Sequence, residues 1–158
     1  MTEPTLLLTH TVPPETSADL LDALRAELPE ADILTAATAE ETEELLPDAD
    51  ALVTGRLDEE LLDGAEIEWV QALSAGVDSY PQAELEARGI ALTNASGVHA
   101  EPIGEQVLGA MLAFERRFLD AMANKERESW ERVEGGELHG KTLGIVGVGA
   151  IGSRVAEL

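Results

Sequence analysis

Thr142-Leu143-Gly144-Ile145-Val146-Gly147-Val148-Gly149-Ala150-Ile151-Gly152 joins a short apolar run to three glycines spaced Gly-x-Gly-x-x-Gly. Such spacing lets a chain turn tightly after a strand, brings backbone close to a pyrophosphate, and seats the next helix on its strand. The run at 142–146 predicts the strand and Ser153-Arg154-Val155-Ala156-Glu157-Leu158 the start of the helix. Gly147, Gly149, Ala150, Ile151 and Gly152 are therefore candidate dinucleotide-binding positions. The amides of Ala150 and Ile151 open a helix whose positive end suits phosphate. Arg154 either adds charge there or is solvated, and a purely structural glycine turn is the other reading of the whole stretch.

Upstream, apolar runs alternate with helical patterns. Strands are predicted at residues 5–9, 32–35, 51–54, 69–73 and 90–93. Helices are predicted from Ala18 to Leu28, near Glu40 to Leu46, over residues 58–62 and over residues 81–87. Near-continuously apolar strands joined by helical crossovers imply a parallel sheet covered on both faces. A doubly wound, flavodoxin-like arrangement is the common five-strand solution, with ligands at the carboxyl ends of the strands.

The rhythm breaks at Asn94-Ala95-Ser96-Gly97-Val98-His99-Ala100-Glu101, ahead of Pro102. A domain boundary is expected there, with residues 1–98 forming one domain and 99–158 opening another. A single long helix is predicted over residues 102–127. Its stripe Ile103, Val107, Met111, Phe114 and Phe118 is matched by a second at Leu108, Leu112 and Leu119, so it is expected to be buried on two sides, within its own domain, between two domains or against a partner subunit.

Composition narrows the setting. Thirty-two acidic residues stand against ten basic ones, for a formal net charge of -22 over 158 residues. Nucleic acid is not an expected partner. Only Lys125 and Lys141 are lysines, and the acids are spread over polar faces. A self-repelling surface of this kind is screened near 1 M salt, where the Debye length is ~3 Å. The chain therefore reads as a protein of a high-salt cytoplasm, with an ordinary acidic protein as the alternative. Cysteines are absent, which excludes disulfides and thiolate chemistry. No apolar run reaches the roughly 18 residues needed to cross a bilayer.

Two loops at predicted strand ends are candidate substrate sites. In Leu73-Ser74-Ala75-Gly76-Val77-Asp78, a glycine lets backbone amides approach a carboxylate. The competing reading is an ordinary strand-to-helix turn capped by Asp78 or Ser79. In Thr54-Gly55-Arg56, the guanidinium suits a carboxylate, and the competing reading is a surface pair with Asp58 or Glu60. His10, His99 and His139 lack the spacing of a metal site or a nucleophile's base, so they are expected to be structural and no metal is expected. Trp130 reads as a packing anchor.

Together these pieces resemble the NAD(P)-dependent D-2-hydroxyacid dehydrogenase family. The likeness runs through residues 74–78, then Arg88-Gly89-Ile90-Ala91-Leu92-Thr93-Asn94 on through Gly97-Val98 to Gly104-Glu105, then Trp130 and residues 138–152. It implies a flavodoxin-like substrate domain followed by the beginning of a Rossmann domain. The implied reaction is hydride transfer between NAD or NADP and a 2-ketoacid or D-2-hydroxyacid. The amides around Ala75, Gly76 and Val77 would hold the substrate carboxylate, Arg56 would close over its other end, and Asn94 would shape the hinge. A homodimer built on the long helix is implied; a cytoplasmic location is expected from the charge and the lack of a long apolar run. The family's arginine, histidine and glutamate are expected beyond Leu158, so this amino-terminal half holds no catalytic residue of its own and is expected to be inactive alone. Two other readings stay open: a dinucleotide-sensing, corepressor-like interaction protein on the same scaffold, and a stand-alone substrate-binding fragment.

Overall fold

A computed structural model describes residues 3–158, and of residues 14–17 the backbone alone. One compact unit ends at Ser96 and a second comprises Gly97–Leu158. The boundary expected from the loop composition lay two residues later.

The first unit alternates strand and helix: β1 Thr5–Leu8, α1 Pro14–Glu27, β2 Asp32–Thr35, α2 Ala39–Leu45, β3 Ala51–Thr54, β4 Trp69–Ala72, α3 Gln82–Arg88 and β5 Ala91–Thr93. The helix expected over residues 58–62 is a 3-10 turn, Glu59–Leu62, too short for a full α-helical ladder. All five strands are parallel in the order β2-β1-β3-β4-β5, the flavodoxin-like winding.

Period-two alternation divides the strand residues between two cores. Leu7, Leu52, Val70 and Ala72 face Leu46, Leu57, Leu62, Tyr80 and Leu85. Leu6, Leu8, Ala51 and Val53 face the other way, against Leu20, Leu21 and Leu24 of α1. The register Leu7↔Leu52 and Leu52↔Val70 stacks residues of no exposure across the central three strands.

The second unit contains α4 Ala100–Glu115, α5 Phe118–Glu126 and α6 Ala150–Glu157. The single long helix expected over residues 102–127 is interrupted. Arg117 adopts a left-handed conformation at φ 52°, and the Glu115 carbonyl accepts from Gly136 N–H at 2.7 Å instead of continuing the helical ladder. A non-glycine residue in that region costs about 1 to 2 kcal/mol, offset here by a capped carbonyl. The described residues do not supply the burial on two sides, since Phe114, Phe118, Leu119 and Met122 are exposed. Trp130 is fully exposed as well, so it anchors nothing in these residues.

The strand expected at residues 142–146 has no ladder partner among the described residues, and Val146 is exposed. A parallel strand requires a neighbour to pair its amides, and the described residues offer none there.

Leu52 is fully buried in the central strand, so Leu52→Ala leaves a cavity that cannot close from either side. It is expected to destabilise the fold by about 2 to 5 kcal/mol in chemical denaturation, whereas a matched substitution at half-buried Ile33 costs less.

Candidate functional site

Parallel winding places the turns after β1, β3 and β4 at one edge of the sheet. Three hydroxyls tie the first two turns together. Thr9 Oγ1 donates to Thr54 Oγ1 at 2.9 Å, and Thr11 Oγ1 lies 2.7 Å from Thr9 Oγ1 and 2.9 Å from Thr54 Oγ1. Thr54 Oγ1 lies 2.5 Å from the Arg56 carbonyl, and Gly55 N–H donates to Thr11 Oγ1 at 2.9 Å. His10 is held against α2 through Nδ1, 2.9 Å from Thr42 Oγ1.

The Thr54 carbonyl joins this turn to the loop after β4. It accepts Leu73 N–H at 3.0 Å and the Tyr80 hydroxyl at 2.9 Å. Burial raises the Tyr80 phenol above its ordinary pKa, partly opposed by a hydrogen bond with Ser74, so the hydroxyl stays a donor through the neutral range.

The loop at residues 74–77 is organised by its carbonyls. Ser74 O accepts Ala95 N–H at 3.1 Å, Ala75 O accepts Asn94 Nδ2 at 2.8 Å, and Gly76 O accepts Ser74 Oγ at 2.6 Å. Val77 O accepts both Tyr80 N–H and Gln82 Nε2 at 3.0 Å. Among the described residues, the N–H groups of Ala75, Gly76 and Val77 meet no protein acceptor. Carbonyls drawn inward and amides left open make an edge that favours an anion. Helix α3 begins only after Pro81, with no side-chain cap, so Asp78 and Ser79 do not play the capping role that the sequence left open.

Arg56 sits beside a cleft of about 680 Å³ lined by His10, Thr11, Glu43, Asp58 and Leu61. Its Nε and Nη2 both donate to Asp58 Oδ1, at 3.0 and 2.7 Å, with both side chains exposed. The surface pair weighed from sequence is thus present. An exposed pair contributes only about 0 to 1 kcal/mol, so exchanging Asp58 for a ligand carboxylate costs little.

In the second unit, two glycines of the fingerprint are sterically explained. Gly147 has φ +92°, and a Cβ on Gly152 would stand 2.1 Å from the Gly147 carbonyl oxygen. Gly149 is the N-cap of α6 and supplies no side-chain cap, so the first-turn amides remain open to a phosphate. These features fit a dinucleotide pyrophosphate. Arg154, an optional phosphate contact in the sequence reading, instead faces Glu101 and Glu157. Among the described residues, no His, Asp and Glu cluster is arranged to hold a metal ion.

Thr9, Thr11, Tyr80 and Asn94 were not singled out as binding-loop supports from sequence, although Asn94-Ala95-Ser96 carries a signal for an Asx turn, and Asn94 Oδ1 does accept Ser96 N–H at 3.1 Å.

The sequence profile described as D-isomer specific 2-hydroxyacid dehydrogenase, catalytic domain, matches residues 6–142. The chain belongs to this family. It is 33% identical over 137 residues to a D-3-phosphoglycerate dehydrogenase of Methanocaldococcus jannaschii, covering 83% of this chain and 26% of that protein. Among solved structures, a D-isomer specific 2-hydroxyacid dehydrogenase family protein from Aeromonas salmonicida superposes with a TM-score of 0.75 at 29% identity, covering 99% of this chain and 49% of that one. A D-lactate dehydrogenase from Aquifex aeolicus, complexed with NAD and lactic acid, shares the fold with a TM-score of 0.73 at 24% identity, covering 96% and 47%. The chain thus spans about a quarter of that curated relative and about half of these solved chains. The five-stranded parallel sheet is the family's substrate-domain fold.

Tyr80→Phe removes one of two donors to the Thr54 carbonyl. The variant is expected to lose about 1 kcal/mol in urea denaturation, because Leu73 N–H still satisfies that oxygen.

Proposed function

We propose that the complete protein transfers hydride between a nicotinamide dinucleotide and a 2-ketoacid or D-2-hydroxyacid. The single observation that carries this reading is the loop at residues 74–77, whose carbonyls are all engaged while the amides of Ala75, Gly76 and Val77 stay open. Those amides would hold the substrate carboxylate. Arg56, released from Asp58, would close over the other end of the acid.

NAD or NADP, when bound, supplies the hydride donor or acceptor. Gly147, Gly149, Ala150, Ile151 and Gly152 would hold its pyrophosphate, with Gly152 keeping α6 tight on the turn and the first-turn amides facing the anion. On this reading the unit ending at Ser96 acts as the substrate domain and the rest opens the cofactor domain.

The same proposal extends to assembly and setting. Phe114, Phe118, Leu119 and Met122 form exposed apolar surface on α4 and α5, which a second copy would cover in a homodimer. No helix among the described residues is long and apolar enough to cross a membrane, and we place the protein in a high-salt cytoplasm on the strength of its charge of -22.

Mixing the complete protein with NADH or NADPH and a small 2-ketoacid such as glyoxylate is expected to consume the reduced nicotinamide; no consumption with any 2-ketoacid sinks the reading. Arg56→Gln is expected to raise KM for the acid about tenfold with a smaller change in kcat, a loss of roughly 1.4 kcal/mol of substrate binding. The thermal midpoint of this chain should rise steadily as KCl goes from about 0.1 to about 3 M, because added ions screen its self-repulsion. A flat or falling curve would instead identify an ordinary acidic protein.

A further inference from the structure

Arg154 lies in the second turn of α6, just past the amides proposed to hold the pyrophosphate. Its Nη2 donates to Glu101 Oε1 at 2.7 Å, across to the first turn of α4. Nε lies 2.6 Å from Glu101 Oε2 but off the N–H direction, and Nη1 donates to Glu157 Oε2 at 3.1 Å. The guanidinium is therefore neutralised by two carboxylates.

Its aliphatic stem rests on a notch in α4. Gly104 is buried, and a Cβ there would stand 3.0 Å from Arg154 Cγ and 3.1 Å from Leu158 Cδ1. A Cβ at 104 would require both side chains to give way by a few tenths of an ångström. The approach to α6 adds no support of its own, since residues 142–146 pair with no strand among the described residues. α6 packs along α4, and this seat, with the close contact of Gly152 with Gly147, contributes to the direction of α6 and the aim of its first-turn amides.

We infer that the Glu101–Arg154 ion pair, seated on Gly104, is a positioning device for the dinucleotide-binding turn: it fixes where the open amides of α6 point and does not itself contact phosphate. This rests on the proposed cofactor site. The opposite possibility is that Arg154 swings from Glu101 to the cofactor. The two make different demands on Glu101. A positioning pair needs both partners, whereas a phosphate-binding arginine would bind better once its carboxylate competitor is removed.

The test measures the dissociation constant of reduced dinucleotide by nicotinamide fluorescence on the complete protein. It compares wild type, Glu101→Gln, Arg154→Gln, Gly104→Ala and the double charge swap Glu101→Arg with Arg154→Glu. The thermal midpoint is recorded for each. Positioning predicts about fivefold to tenfold weaker binding in all three single variants, since small misplacements of a binding group are costly. It also predicts substantial recovery in the swap, and an unchanged KM for 2-ketoacid at saturating dinucleotide. Wild-type or tighter binding in Glu101→Gln overturns the inference, as does a charge swap no better than Arg154→Gln while remaining folded. A wild-type protein that binds neither NADH nor NADPH fails at the proposed function itself and takes the positioning role with it.

Discussion

The parallel register of β1, β3 and β4 governs everything else in the first unit. Leu7, Leu52 and Val70 lie side by side with no exposure, while on the opposite face Leu6 pairs with Ala51 and Leu8 with Val53, all four buried. A slip of one residue in any of these strands would exchange the faces and put leucines into the wrong core. Because the register is held from both sides, the three strands end together, and their following turns share one edge of the sheet. The hydroxyl trio of Thr9, Thr11 and Thr54, and the double use of the Thr54 carbonyl, are consequences of that shared edge.

From that edge the binding loop follows by hydrogen-bond exclusion. Buried or structured carbonyls seek donors. At residues 74–77 the donors come from Asn94, Ser74, Gln82, Tyr80 and Ala95, all positioned by the ends of β4, β5 and α3. Satisfying the carbonyls turns the amides the other way. The loop thus presents open amides without a single cation, in a protein whose composition is overwhelmingly acidic. At α6 the first turn likewise carries no side-chain cap, while Arg154 is held by carboxylates.

Some of this was legible from residues and some was not. The strand segments were readable because apolar runs such as Ala51-Leu52-Val53 are local signals, and the glycine fingerprint was readable because its spacing is a chemical requirement. Four places departed. The helix expected to run through residues 102–127 breaks at Arg117, where the deciding contact is Gly136 N–H on the Glu115 carbonyl, twenty-one positions downstream in the chain. The strand at 142–146 has the right composition but no partner. Trp130 is exposed rather than anchored. Residues 59–62 form a 3-10 turn where a helix was expected. In each case periodicity described a preference, and the neighbour needed to realise it lay elsewhere or was missing from these residues.

By itself, the sequence determined the alternating strand and helix plan, the two-sided burial of the strands, the glycines of the turn before α6 and the acidic composition. Each depends on residues close together in the chain or on composition alone. The tertiary structure decided the strand order, the engagement of Ala75 O by Asn94, the capture of Arg56 by Asp58, and the diversion of Arg154 to Glu101. The Arg56 pair was among the open readings because its partners are two residues apart. The others join positions up to fifty-three residues apart, and a long-range hydrogen bond leaves no period in the sequence that would announce it.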